Sequence, residues 1–125
     1  MTNYDNGARL ERAAKTDLET AGYLVLRSSG SHGPADLVAL PRRVPAAGDR
    51  PGRILLIQCK TDAYMPRTAR LEFARLSQAV GAIAILCYWR KEGRAARKPA
   101  YRVILLDGSS TTVDLSPGKD QEEAS

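Results

Sequence analysis

The sequence predicts an α/β sandwich with a mixed sheet, and three observations predict it. Apolar residues recur at helical spacing near the start and again in the middle of the chain. Two continuous apolar stretches, residues 54–57 within the strand 53–60, and 82–89, flank the second helical stretch, as a parallel strand–helix–strand unit requires. Glycine and proline punctuate the junctions between these segments.

Taken in order, Leu10, Ala13, Ala14, Leu18 and Ala21 mark a first helix from Gly7 to Ala21, with Asn6 as its cap and Gly22 as its stop. Tyr23 to Arg27 reads as a strand. Ser28 to Pro34 is a loop of small residues. Ala35 to Leu40 is a second strand, ended by Pro41, and Arg42 to Gly52 is an exposed loop. Arg53 to Lys60 is a central strand. Pro66 suits the first turn of a second helix, which runs to about Val80 with Ala69, Phe73, Leu76 and Val80 on one face, and Gly81 ends it. Ala82 to Trp89 is another central strand, expected to return by a right-handed crossover beside the third. Arg90 to Pro99 is a basic loop. Tyr101 to Leu106 is a strand, Asp107-Gly108 a turn, and Thr111 to Leu115 a short edge strand.

At 125 residues the chain has room for one domain, assigned to residues 1–115, with 116–125 as a disordered tail. No apolar run approaches the ~20 residues of a membrane span. The start has neither a basic nor an apolar leader region, so the expected location is the cytoplasm of a bacterial, archaeal or phage-infected cell. Cys59 and Cys87 sit in apolar strands without metal-ligand spacing and read as reduced core residues. Tyr64 and Trp89 read as packing residues, and Glu72 as solvent-facing. The net charge is +5. Residues 116–125 hold one lysine against three acids, so the first 115 residues carry +7. A basic body of this size suits a polyanion, nucleic acid first, or simply a soluble basic surface.

Three segments could carry chemistry: Gly7 to Arg12, Arg27 to Asp36, and Gln58-Cys59-Lys60. Alternation along a strand places Gln58 and Lys60 on one face and Cys59 on the other. An apolar strand ending in that polar pair marks either a site or the place where the strand reaches the surface. Asp36 favours a site, because it opens an otherwise apolar strand beside Gln58. Phosphodiester hydrolysis requires charge neutralisation and an activated water, and Mg²⁺ held by one or two carboxylates supplies both. Asp36, the Gln58 side-chain oxygen and the Cys59 backbone carbonyl are candidate ligands, with Glu11 a further one, directly or through water. Lys60 could stabilise developing charge or help deprotonate water. His32, Ser29 and Ser31 could meet a phosphate; otherwise they are polar loop residues. Arg67, Arg70, Arg75 and the basic residues from Arg90 to Lys98 could follow a DNA backbone, or form a solvated face.

These residues resemble the PD-(D/E)XK nuclease superfamily: an acid on the first helix, then Pro34-Ala35-Asp36, then Gln58-Cys59-Lys60. Pro34 stands one place away from the family's Pro-Asp pair. Within the superfamily the chain is similar to the archaeal and phage-type Holliday junction resolvases. Their Gly-x-x-x-Glu-Arg start is matched by Gly7, Glu11 and Arg12, and their Arg-x-x-x-Ser loop by Arg27 and Ser31. Leu71 to Ala74 and Gly81-Ala82 also fit, so the resemblance spans about residues 7–89. It implies a restriction-endonuclease-like core, a central mixed β-sheet flanked by helices. It implies a metal-dependent endonuclease with Glu11, Asp36, Gln58 and Lys60 as catalytic residues and Mg²⁺, or Mn²⁺ in its place. Arg12, Arg27, Ser29, Ser31, His32, Arg67 and Arg70 would contact DNA. The implied substrate is branched DNA, above all the four-way junction, cut by a homodimer with two sites. The family usually has Glu at the position of Gln58. The substitution removes a negative charge and could mark a DNA-binding module that does not cut; a nuclease of the same fold acting on flaps or damaged DNA is a separate alternative.

Overall fold

A computed structural model describes residues 3–28, 33–42, 53–90 and 98–115. In it, α1 (Asn3–Thr20) leads into β1 (Tyr23–Arg27), β2 (Leu37–Pro41) and β3 (Ile54–Cys59). Helix α2 (Arg67–Ala79) then connects to β4 (Ala82–Arg90), β5 (Lys98–Ile104) and β6 (Ser110–Val113). The strands form one sheet in chain order, β1 to β6. Every neighbouring pair is antiparallel except β3 and β4, which run parallel with α2 as the crossover. The mixed α/β architecture expected from the sequence is therefore present. No helix among the described residues is long and apolar enough to cross a membrane.

Each face of the sheet has its own core. On one face, Leu10, Ala14 and Leu18 of α1 pack against Val25, Leu37, Ala39, Leu55, Ile57, Ile85, Cys87 and Tyr101. The Tyr101 hydroxyl donates to Asp17 Oδ2 at 2.6 Å, tying α1 to β5. Burial, reinforced by Asp17, pushes the Tyr101 phenol well above its ordinary range. On the other face, Phe73 and Ala74 of α2 pack with Met65, Ala84, Leu86 and Ile104.

Several boundaries differ from expectation for physical reasons. Asn6 lies inside α1 rather than capping it, because no proline or glycine between Asn3 and Asn6 interrupts the backbone ladder. Pro41 is the last residue of β2, opposite Tyr23, beyond the stretch that pairs with β3, so its missing N–H breaks no bond to that strand. Strand β5 begins at Lys98, with Pro99 opposite Trp89. β6 pairs only with residues from Tyr101 onward, so the proline stands where β5 is still an edge. Leu105 and Leu106 belong to the turn that follows. Tyr64 is 66% exposed and does not pack in the core.

The expected apolar stripe of α2 is only half covered. Phe73 is buried, but Leu76 is 37% and Val80 56% exposed. Arg67, Arg70 and Leu71 touch the β5–β6 turn at Gly108. At about 100° per residue, Leu76 and Val80 fall on the opposite flank, toward β3 and its outer neighbours. There no helix among the described residues lies over the sheet. By alternation, Leu24 and Leu26 of β1, Val38 and Leu40 of β2, and Ile54 and Leu56 of β3 share this face. Leu24 and Leu26 stand 39% and 54% exposed.

Left-handed backbone occurs at Gly22, Gly81, Gly108 and Ala63. At Gly108 (φ 88°) a β-carbon would also meet Leu71 Cδ2 at 3.3 Å, so this turn needs glycine twice over. Ala63, with φ 62°, has no such excuse. It follows Lys60, whose carbonyl accepts its N–H at 3.0 Å. Replacing it with glycine is expected to stabilise the chain by about 1 kcal/mol, read as a raised urea midpoint at constant m. An unchanged or lowered midpoint would remove the case for strain in this turn.

Candidate functional site

The sequence-predicted acid, amide and lysine meet where β2 begins and β3 ends. Asp36 immediately precedes β2. Its N–H donates to the Ile57 carbonyl at 2.8 Å, and its carbonyl accepts from Ser28 N–H at 2.9 Å. Its carboxylate is held from β3: Oδ2 accepts the Cys59 N–H at 2.8 Å. The parallel ladder explains why that N–H is free to donate. Lys60 N–H donates to the Cys87 carbonyl at 2.9 Å, so the groups flanking Cys59 turn toward β4. The N–H and carbonyl of Cys59 itself turn toward β2, whose paired stretch begins only at Leu37. Asp36 takes the N–H, and the carbonyl is directed to the same side.

Gln58 is fixed by its nitrogen. Nε2 donates to the Pro34 carbonyl at 2.7 Å, which sets the amide orientation and leaves Oε1 as an acceptor. Lys60 is exposed at the strand end, with no carboxylate in ion-pair range among the described residues. Glu11 comes from α1. Its Oε1 accepts from Arg27 Nε at 2.9 Å, and both side chains are partly buried, at 20% and 32% exposure. Arg27 is the last residue of β1 and lies on the same side of that strand as buried Val25, which aims it at α1. Glu11 and Asp36 both act on the Cys59 thiol. Its pKa is pushed far up, first by a hydrogen bond with Cys87, then by burial, then by negative charge that includes these two carboxylates.

The structure thus anchors Asp36 on the Cys59 amide, with Gln58 and Lys60 at the neighbouring positions of the same strand end and Glu11 paired with Arg27. Among the described residues, no three His, Cys, Asp or Glu side chains are placed to hold a metal ion by themselves. A cation would therefore also need neutral oxygens or water. The donors on hand are hard oxygens, two carboxylates with an amide oxygen and a backbone carbonyl, which suits Mg²⁺ and not a thiophilic ion.

Of the candidate DNA contacts, Arg12 and Arg67 are exposed. Arg70 is engaged within the fold, donating to the Gly108 carbonyl at 2.7 Å and the Met65 carbonyl at 2.6 Å. Ser29, Ser31 and His32 lie outside the described residues, as does the tail 116–125. Two features escaped the sequence reading: the Cys59 amide as the anchor of Asp36, and Glu11 as the partner of Arg27. Strand alternation gives the face on which Arg27 lies but not the residue it meets.

No protein-family model matches the chain, and no curated protein matches it. Among solved structures it is similar to Hjc, a Holliday junction resolvase from the archaeal hyperthermophile Archaeoglobus fulgidus. The likeness has a TM-score of 0.52 at 23% identity and covers 86% of this chain and 83% of the other. The six-stranded mixed sheet with its two helices is therefore the resolvase-type, restriction-endonuclease-like fold.

Proposed function

We propose that the protein is a metal-dependent, structure-selective DNA endonuclease that hydrolyses phosphodiesters at four-way junctions. The observation that carries the reading is the Asp36 carboxylate locked onto the Cys59 amide, beside Gln58 and Lys60, on a resolvase-type fold. Asp36, Glu11, Gln58 Oε1 and the Cys59 carbonyl are the groups that would hold Mg²⁺ or Mn²⁺. The cation, when bound, supplies neutralisation of phosphate charge and activation of water.

The chain's own residues do the remainder. Asp36 is preorganised, since its carboxylate is hydrogen-bonded before any ligand arrives. Arg27 fixes Glu11. The Lys60 ammonium stabilises the charge that grows on phosphate oxygen as water attacks phosphorus and the P–O ester bond breaks. Arg12 and Arg67, with the basic body of the chain, offer contacts to the DNA backbone, which favours recognition of shape over sequence.

Cutting two strands symmetrically calls for a two-fold dimer. The open apolar face of β1–β3, flanked by Leu76 and Val80, is the surface best suited to it. A solvent-facing aliphatic field of this kind is a partner surface. The segments outside the described residues, 1–2, 29–32, 43–52, 91–97 and 116–125, contain two large apolar residues, Met1 and Val44, so they bring little apolar surface to cover it.

Cleavage of matched junction, flap and linear duplex DNA, with and without Mg²⁺ or Mn²⁺, tests the function. Metal-dependent preference for the junction is expected; equal cutting of all three sinks the resolvase reading. Gln58 gives a second reading specific support, because it removes a charge that metal binding would use. Tight junction binding without nicking by any metal would make the protein a binding module. Gln58→Glu is expected to retain or raise cleavage, by up to about tenfold at limiting Mg²⁺, from better metal affinity. Loss of cleavage in that variant would count against Gln58 as a ligand.

A further inference from the structure

Cys59 and Cys87 are in-register neighbours on the parallel strands β3 and β4. Adjacent strands lie about 4.7–4.9 Å apart, inside the ~4.4–6.8 Å range of Cα separations that a disulfide spans. Both side chains belong to the core under α1, and both are free. Cys59 is partly exposed and Cys87 is fully buried. The Cys59 residue is thus the less enclosed of the pair.

We propose that Cys59 and Cys87 form an oxidisable dithiol whose closure to a disulfide disturbs the Asp36–Lys60 strand end. A peroxide is the oxidant. Cys59 sulfur attacks one peroxide oxygen, the O–O bond breaks, and a sulfenic acid and water result. Cys87 sulfur then displaces the sulfenic oxygen, which leaves as a second water, and the S–S bond forms. Two electrons pass from the sulfur pair to the peroxide. Burial disfavours the Cys59 thiolate, so conversion needs a sustained oxidant.

The main chain of Cys59 is what couples this chemistry to the site. Its N–H holds Asp36 and its neighbours are Gln58 and Lys60, while the Cys87 carbonyl holds the Lys60 N–H. Drawing the two β-carbons to the ~3.8 Å of a disulfide, from strand spacing, moves them by about 1 Å. That is enough to shift the amide on which Asp36 rests. The effect on cleavage rests on the nuclease reading; the disulfide and the shift do not.

The test treats the folded full chain with hydrogen peroxide, then alkylates and maps peptides. A 59–87 cross-linked peptide is expected, together with faster hydrogen exchange at the Cys59 amide. Junction cleavage is expected to fall tenfold or more and to return with dithiothreitol. Cys87→Ser, with Cys87→Ala as the alternative if the hydroxyl unfolds the core, should not form the cross-link, and peroxide should leave it oxidised at Cys59 alone. Absence of the cross-link in the folded chain, or a cross-linked chain with unchanged Cys59 amide exchange, overturns the proposal. If the untreated chain cuts no DNA, the nuclease reading fails, and the peptide map and amide exchange still decide this one.

Discussion

Asp36→Asn is expected to cut junction DNA about 10³-fold more slowly than the parent chain, with junction affinity unchanged or slightly raised. The side-chain oxygen of asparagine can still accept the Cys59 N–H, so the strand end keeps its shape. What disappears is a full negative charge, at a site that already has an amide where a second acid would serve it. Removing one preorganised electrostatic group from a reacting centre typically costs 10²–10³-fold, and the absence of a charged residue at Gln58 puts this case at the upper end. Affinity should not fall, because the lost charge repelled phosphate. Asp36→Ala separates shape from charge: it also leaves the Cys59 N–H without its acceptor, adding a stability loss of about 1–2 kcal/mol. Single-turnover cleavage and chemical unfolding of the two variants read these effects apart. Near-parental cleavage by Asp36→Asn would remove Asp36 from the catalytic set.

Leu26→Glu is expected to turn the protein into a monomer that nicks junctions without paired incision. Leu26 is the more exposed of the two outward leucines of β1 and sits opposite Val38, away from the α1 core. A carboxylate there costs the monomer little, since the position already faces solvent. In an isologous interface it would be buried twice, once from each copy. Each unpaired buried charge costs several kcal/mol, which converts a micromolar or tighter dimer into one that does not form at assay concentrations. Sedimentation equilibrium reads the mass, and junction assays on doubly labelled arms read whether the two cuts are coupled. A dimer that survives this change, and Val38→Glu as well, would move the interface elsewhere.

How much of this was legible before the structure depends on what kind of force decides each feature. Strand β3 and the polar pair at its end were legible because alternation is a local rule, and Gln58 and Lys60 obey it. Asp36 was legible because an acid at the mouth of an apolar strand is costly without a reason. The Asp36–Cys59 contact was not, since it depends on where β2 stops pairing, which the partner strand decides. The α2 stripe was half misread for a similar cause. Periodicity shows that Leu76 and Val80 share a side with Phe73, but not how wide a surface lies beneath the helix. Pro99 was taken for loop because proline opposes a central strand; the neighbour it would offend, β6, begins pairing two residues later. Arg70 read as a DNA contact on charge alone, while its geometry serves two carbonyls of its own chain.

The chain-ordered sheet has a consequence for how the protein comes into being. Glu11, Asp36, Gln58 and Lys60 are all synthesised before α2 and β4. A nascent chain at that stage holds every proposed reacting group, but the Lys60 amide has no Cys87 carbonyl to meet, and the α1 core lacks Ile85, Cys87 and Tyr101. Antiparallel neighbours close through short local loops, whereas β4 joins β3 only after the whole α2 connection has been ordered. The single parallel pair is therefore the slow join of the fold. A chain still under synthesis carries the chemistry in pieces, and assembly of the site waits for the last half of the message.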